Sequence, residues 1–217
     1  MKEIALMLLI SFVFGQNIDC VGNSITANGY PEVADFWMIQ DGYEWRMYNY
    51  GVPGITVSIP GFDYISTQQY KEVMSRKSEH IVVMLGANDR DIVSHNGTYD
   101  FDQDYRFLIK KLMSASKKVF LGTITYQIYS GENSVTDNIN VVIRQVAKDY
   151  GLAIIDFNSA IGTDPDNFMT DGIHPTAEGK YKLAKLAFDT LKVYHILGVD
   201  DEYYDNQKPS LFNGCSK

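Results

Sequence analysis

Short, mostly apolar runs alternate with longer amphipathic stretches along most of this chain. The runs predicted as strands are 18–21, 44–48, 81–85, 119–122 and 153–156. Most of them lack polar–apolar alternation, which is typical of strands buried on both faces. The stretches predicted as helices are 31–39, 67–77, 104–114, 135–150 and 176–192. This alternation predicts an α/β fold in which helices cover both faces of a parallel sheet.

The predicted helices carry their apolar residues at three- and four-residue spacing, as a helix with one buried face does. In 135–150 these residues are Ile139, Val142, Ile143 and Val146. In 176–192 they are Tyr181, Leu183, Ala184, Leu186, Ala187 and Leu191. We expect both faces to pack on the sheet.

Length and charge limit the class of protein. The chain has 217 residues, of which 45% are hydrophobic, enough for one sizeable core. We therefore expect one domain over 16–197, with an acidic, tyrosine-rich extension over 198–217. The net charge of -8 argues against a nucleic-acid partner, because such proteins usually cluster Lys and Arg.

The first residues are typical of a secretory leader. Residues 4–14 are apolar apart from Ser11 and follow Lys2, so residues 1–15 are predicted to be a signal peptide. The run is shorter than the about 20 residues that cross a bilayer, and we expect no stable membrane insertion. An additional core element is the alternative. A cleaved leader predicts a secreted or extracytoplasmic protein.

The two cysteines, Cys20 and Cys215, cannot form a disulfide framework. Cys20 lies on the first predicted strand, where we expect a small buried apolar residue. Asn96 begins an Asn-Gly-Thr sequon, which matters only if the protein enters a glycosylating compartment.

Polar, glycine-containing turns follow the first three predicted strands. They are 22–26 (Gly-Asn-Ser-Ile-Thr), 49–54 (Asn-Tyr-Gly-Val-Pro-Gly) and 86–89 (Gly-Ala-Asn-Asp). Loops at the carboxyl ends of parallel strands converge on one crevice. Alone, each motif has an ordinary explanation: Ser24 could cap a helix, and Asn88 could form a turn. Their order on successive strand ends favours a shared site.

Taken with Asp-Gly-Ile-His-Pro at 171–175, these motifs resemble the blocks of the GDSL-type or SGNH hydrolases over about residues 18–192. The family usually has Gly-Asp-Ser where this chain has Asn23 before Ser24. The glycine of its oxyanion hole matches Gly54 better than Gly51, and its asparagine matches Asn88. The resemblance implies a three-layer α/β/α fold with a five-stranded, flavodoxin-like parallel sheet.

The residue types define the expected roles. Ser24 would be the nucleophile, His174 its general base, and Asp171 the group that orients the imidazole. The backbone N–H groups of Ser24 and Gly54 and the side-chain amide of Asn88 would form the oxyanion hole.

Other chemistries fit poorly. The acidic run 100–104 resembles the start of a calcium loop, but Tyr105 and Lys111 occupy the positions of its glycine and bidentate acid. No zinc or phosphate-loop spacing occurs, so we expect no metal and no cofactor. Because Thr26 replaces the second glycine of Gly-x-Ser-x-Gly, we expect an open, flexible loop around Ser24.

Within the family, the motifs look most like those of carbohydrate O-acetylesterases of the sialate or acetylxylan type. The resemblance implies a small-molecule or polysaccharide ester as substrate. A lysophospholipase or short-chain lipid esterase, and a catalytically silent glycan-binding module, are the alternatives. Candidate sugar-stacking residues, equally explained by packing, are Tyr30, Tyr50, Tyr64 and Tyr126. The oligomeric state stays open.

Overall fold

The computed structural model describes residues 17–76, 78–90, 100–115, 118–129 and 133–196. The predicted leader (1–15), the sequon at Asn96 and the predicted extension (198–217) lie outside these residues.

Five parallel strands form one sheet. They are β1 (Asn17–Gly22), β2 (Arg46–Gly51), β3 (His80–Met84), β4 (Lys118–Gly122) and β5 (Ala153–Ile155). Their order is β2-β1-β3-β4-β5, and every pairing is parallel. The predicted flavodoxin-like sheet is therefore confirmed. The chain passes from β1 to β2 on one side and from β3 to β4 on the other, so the switch point at which such sheets open a crevice lies between β1 and β3.

Seven α-helices lie within the described residues. They are α1 (Ser24–Ala27), α2 (Tyr30–Gln40), α3 (Gln68–Arg76), α4 (Phe101–Ala115), α5 (Asn133–Tyr150), α6 (Phe157–Ile161) and α7 (Ala177–Ile196). Helices α2 and α7 pack on each other, whereas α3, α4 and α5 form a second group. Because connections between parallel strands are almost always right-handed, we expect these two groups to cover opposite faces of the sheet.

The core lies between the sheet and these two groups. Strand β3 is apolar and buried from Ile81 to Met84, and Cys20 of β1 is also buried, as expected. Of the predicted apolar residues on α5, Ile139, Ile143 and Val146 are buried. Burial on both faces explains why the strands lack alternation.

The predicted elements exist, but several boundaries differ. Strand β2 begins at Arg46 rather than at 44, and α4 begins three residues earlier than predicted. Helices α1 and α6 were missed because four or five residues are too few to show a helical period. None of the described helices is long and apolar enough to span a membrane.

Candidate active site

Ser24 is the first residue of the short helix α1, immediately after β1. The expectation of an open, flexible loop is therefore wrong. Asn23, not Ser24, is the N-cap: its Oδ1 accepts a hydrogen bond of 2.9 Å from the backbone N–H of Ile25. Asparagine and aspartate both serve as N-caps, which explains how Asn23 can stand where the family usually has aspartate.

Helix α1 lies directly on the end of β2, and this contact sets the position of Ser24. A Cβ on Gly51 would lie 2.2 Å from the backbone nitrogen of Ala27, so no side chain fits there. Asn49 stabilises the same contact: its Nδ2 donates to the carbonyl of Thr26 and its Oδ1 accepts from the N–H of Gly51. Gly51 thus has a packing role.

Ser24, His174 and Asp171 form a continuous hydrogen-bonded chain. Ser24 Oγ lies 2.9 Å from His174 Nε2, and His174 Nδ1 lies 2.7 Å from Asp171 Oδ2. With the proton on Nδ1, the ring donates to the carboxylate and accepts from the serine hydroxyl. Such an arrangement can remove the hydroxyl proton during nucleophilic attack and return it to a leaving group.

The turn that carries His174 is held by backbone hydrogen bonds. The N–H of Met169 donates to the carbonyl of His174 at 2.7 Å, and that of Gly172 donates to the carbonyl of Met169 at 2.8 Å. The Asp171 carboxylate accepts from the backbone N–H groups of Ile173 and His174. Asp171 therefore both closes its own turn and contacts the imidazole.

Opposing effects set the pKa of Asp171. Partial burial raises this pKa, but the hydrogen bonds from the His174 side chain and from the His174 and Ile173 backbone outweigh it. The resulting pKa is about 2. Asp171 is consequently ionised at neutral pH, as a group that orients an imidazole must be.

The structure joins the loop of Gly54 to the turn of Asn88. Gly54 is exposed, and its φ of 74° lies in the left-handed region that favours glycine. Asn88 lies on a 3-10 turn, Ala87–Asp89, and its Nδ2 donates to the carbonyl of Ile55 at 2.8 Å. An amide nitrogen carries two N–H donors, so one remains after this bond.

Asp89, which directly follows Asn88, has a role that the sequence did not reveal, because an aspartate at this position is also typical of an ordinary turn. Its fully buried carboxylate accepts hydrogen bonds from the backbone N–H groups of Val57 and Ser58, all at 3.0 Å. The only indication in the sequence was that a second polar residue directly follows Asn88. The hydrogen-bond partners of Asp89 lie more than thirty residues away along the chain, so the sequence alone did not indicate them.

The structure changes the set of aromatic residues that could contact a ligand. Tyr30 and Tyr64 are fully buried, so the suggestion that they stack on sugars is wrong. Tyr126 is partly buried, and its hydroxyl donates to Asp137. Tyr129 is 63% exposed, and its ring lies so close to Gly172 that a Cβ there would approach it to 2.3 Å. Tyr129 therefore borders the turn between Asp171 and His174.

Within the described residues, no cluster of three or more His, Cys, Asp or Glu side chains could hold a metal ion.

Comparison with known sequences gives a consistent result. Residues 20–182 match the model of the GDSL-like lipase/acylhydrolase family. An acetylxylan esterase of Xylanibacter ruminicola is 29% identical over 208 residues, covering 81% of this chain and 43% of that protein. A multidomain esterase of Ruminococcus flavefaciens is 30% identical over 152 residues, covering 65% of this chain and 18% of that protein. The chain thus spans less than half the length of these relatives.

Solved structures resemble this fold over most of the chain. The lipase/acylhydrolase of Enterococcus faecalis superposes with a TM-score of 0.68 at 25% identity, covering 82% of this chain and 95% of that one. The acetylxylan esterase Axe2 of Geobacillus stearothermophilus gives a TM-score of 0.68 at 19% identity, covering 81% of this chain and 93% of that one.

Proposed function

The chain belongs to the GDSL-like lipase/acylhydrolase family, and from this premise we propose that it is a serine esterase that removes acetyl groups from O-acetylated carbohydrate. The observation that carries the proposal is the hydrogen-bonded chain from Ser24 through His174 to Asp171. A serine hydroxyl alone is a poor nucleophile near neutral pH, and this chain supplies the base that it needs.

The reaction would proceed in two steps through an acyl-enzyme. Ser24 Oγ attacks the acetyl carbonyl while His174 Nε2 takes its proton, and the ionised Asp171 stabilises the imidazolium that forms. His174 then gives the proton to the departing sugar oxygen as its bond to the acyl carbon breaks, which releases the sugar hydroxyl and leaves acetyl-Ser24. In the second step His174 takes a proton from water, whose oxygen attacks the acyl group, and returns that proton to Ser24 as acetate leaves.

The negative charge on the carbonyl oxygen needs donors that are already in place. We assign this role to the backbone N–H groups of Ser24 and Gly54 and to the side-chain amide of Asn88. The N–H of Ser24 lies in the first turn of α1, where backbone donors lack an intrahelical acceptor. The bond from Asn88 to Ile55 orients the amide beside the Gly54 loop.

Two observations support a carbohydrate substrate. One relative, from Xylanibacter ruminicola, is an acetylxylan esterase. In addition, the exposed ring of Tyr129 borders the turn of Asp171 and His174, where it offers an amphipathic surface on which a sugar ring can pack. We place the enzyme outside the cytoplasm because residues 1–15 are typical of a secretory leader.

The proposal is tested by hydrolysis of p-nitrophenyl esters of increasing acyl length and by acetate release from acetylated xylan, pectin and sialic acid. We expect the acetyl ester to be the best chromogenic substrate and one acetylated glycan to release acetate. Ser24→Ala should lose activity by about 10⁴-fold or more. The matched control is Ser75→Ala, because the Ser75 hydroxyl donates to the carbonyl of Glu72 within its own exposed helix turn.

Each outcome bears on a different alternative. Preference for long acyl chains would instead identify a lipid esterase. Wild-type protein that binds acetylated glycan without turnover would identify a silent glycan-binding module. Full activity in Ser24→Ala would overturn the assignment of the nucleophile.

A further inference from the structure

Neighbouring hydrogen bonds join the 3-10 turn Ala87–Asp89 to the loop that follows Gly54. The Asn88 amide donates to the carbonyl of Ile55, and the Asp89 carboxylate accepts from the N–H groups of Val57 and Ser58. Adjacent side chains of one turn thus hold three of the four residues that come directly after Gly54. Asn88 donates to a backbone carbonyl whereas Asp89 accepts from backbone N–H groups, so neither side chain can replace the other.

A buried carboxylate is an unusual choice for this task. Asp89 is 0% exposed, and burial raises its pKa to about 6 despite the two backbone donors. Asparagine has nearly the same shape and would avoid the cost of burying a charge. What the carboxylate adds is a second acceptor oxygen, and both of its oxygens lie 3.0 Å from the N–H of Val57.

Two charged groups among the described residues lie near Asp89. Asp104 of α4 is acidic and raises the pKa of Asp89 further. Arg90, the next residue in the chain, directs its guanidinium to Thr136 Oγ1 and to the carbonyl of Thr125. Within the described part of the chain, Asp89 is the acceptor for the Val57 and Ser58 N–H groups of the loop after Gly54.

We propose that Asp89 is a positioning residue that clamps the loop of Gly54 onto the turn of Asn88 and so holds two donors of the oxyanion hole in place before substrate binds. The inference rests on the proposed esterase mechanism. Preorganised donors stabilise developing charge because they need not reorient during the reaction. Loss of the clamp should therefore weaken binding of the transition state more than binding of the substrate.

The test is Asp89→Asn, which keeps the size of the side chain and one acceptor oxygen. With p-nitrophenyl acetate we expect kcat to fall about 10- to 100-fold while KM changes less than about threefold. Because the substitution removes a buried charge, Tm at pH 7 should not fall. The matched control is Asp19→Asn: Asp19 is equally buried, but it contacts Ser78 and Arg76. For Asp19→Asn we expect kcat to stay within about twofold of wild type, whether or not Tm changes.

A double-mutant cycle separates positioning from a general structural role. Asp89→Asn should lower kcat by a factor about threefold or more smaller in the Asn88→Ala background than in wild type, since one of the two donors that Asp89 positions is already missing. Equal costs in both backgrounds, or an unchanged kcat in Asp89→Asn, would overturn the proposal. A fall in Tm with normal kcat would do the same.

If Asp89→Asn does not fold, Asp89→Glu is measured against the same criteria, because it keeps the charge but displaces the oxygens. Failure of the esterase mechanism would look different. It would show as an inactive wild type or an active Ser24→Ala, and neither result depends on Asp89.

Discussion

Ser24 Oγ lies 2.9 Å from His174 Nε2, although 150 residues separate them along the chain. The distance is already that of a proton-transferring hydrogen bond, with no ligand needed to close it. Ser24 is held by α1 at the end of β1, and His174 by the turn before α7. The residues around this pair should each contribute to activity in a way that substitution can measure.

Asp171→Asn should lower kcat by about 10³- to 10⁴-fold with little change in KM, because the amide no longer fixes the Nδ1–H tautomer. Since the pKa of Asp171 is about 2, its charge is complete above about pH 4. It is lost only as the pH falls through 2, so an activity loss near pH 5 cannot come from Asp171.

Steady-state kinetics would check this, with Asp164→Asn as control. Asp164 caps the nearby turn by accepting from the N–H of Asp166, a role that asparagine keeps. Equal losses in both variants would contradict the role of Asp171.

Asn88→Ala should lower kcat about 10²- to 10³-fold through loss of an oxyanion donor. Asn158 provides a matched control because its Nδ2 also donates to a backbone carbonyl, that of Ile124, at 3.0 Å. Both alanine variants should lose about 1 kcal/mol of unfolding free energy. Only Asn88→Ala should lose activity, and a comparable kcat loss in Asn158→Ala would exclude a specific role for Asn88.

Gly54→Ala should lower kcat about tenfold or more, because alanine resists the φ of 74° and the loop would turn its N–H away. Gly42 is also exposed, has a φ of 77° and has open space around it. Gly42→Ala should therefore show a similar loss of stability, about 1 kcal/mol, with normal kcat. Chemical denaturation and kinetics on both variants measure the two effects separately.

Tyr129→Ala should raise KM for acetylated oligosaccharides about 3- to 10-fold while leaving p-nitrophenyl acetate hydrolysis unchanged. The reason is that p-nitrophenyl acetate has no sugar ring that could pack on the exposed tyrosine. Phe107, which is 54% exposed on α4, provides the control as Phe107→Ala. An equal effect on both substrates would show that Tyr129 supports the catalytic turn instead of binding sugar.

The pH dependence of stability should reveal Asp89. Burial raises its pKa from the ordinary 3.8 to about 6, so between these values the native state binds more protons than the unfolded state. Its contribution to the unfolding free energy therefore falls as the pH rises from about 4 to 6, by an amount on the order of 3 kcal/mol. Urea titrations at several pH values in this range would give the unfolding free energy of wild type and of Asp89→Asn. The difference between the two proteins should change with pH by this amount, and a difference that is independent of pH would refute the prediction.

The sequence predicted the elements and the candidate catalytic residues because these depend on local patterns. The apolar runs of β1 and β3 and the helical spacing on α5 come from burial, which their own residues encode. Ser24, His174 and Asp171 are candidates because their order along the chain matches a family pattern, and the structure brings their side chains together.

The missing parts depend on contacts between distant segments. Helix α1 is too short for a periodic signal, and it is placed by the absence of a side chain at Gly51. The clamp of Asp89 joins residues more than thirty positions apart. The exposure of Tyr129 and the burial of Tyr30 follow from tertiary packing, which a single sequence pattern does not contain.

The strand order has a consequence for synthesis of the protein. The neighbouring strands β2, β1 and β3 are followed by Gly54, Ser24 and Asn88 respectively, so the first ninety or so residues contain the proposed nucleophile and oxyanion donors. The turn of Asp171 and His174 leaves the ribosome last among these parts. Under the proposed mechanism, a nascent or truncated chain would therefore carry an unactivated serine, and hydrolytic activity would appear only when the last segment docks. Since parallel pairing between distant segments folds slowly, enzymatic activity would serve as a late and sensitive marker of complete folding.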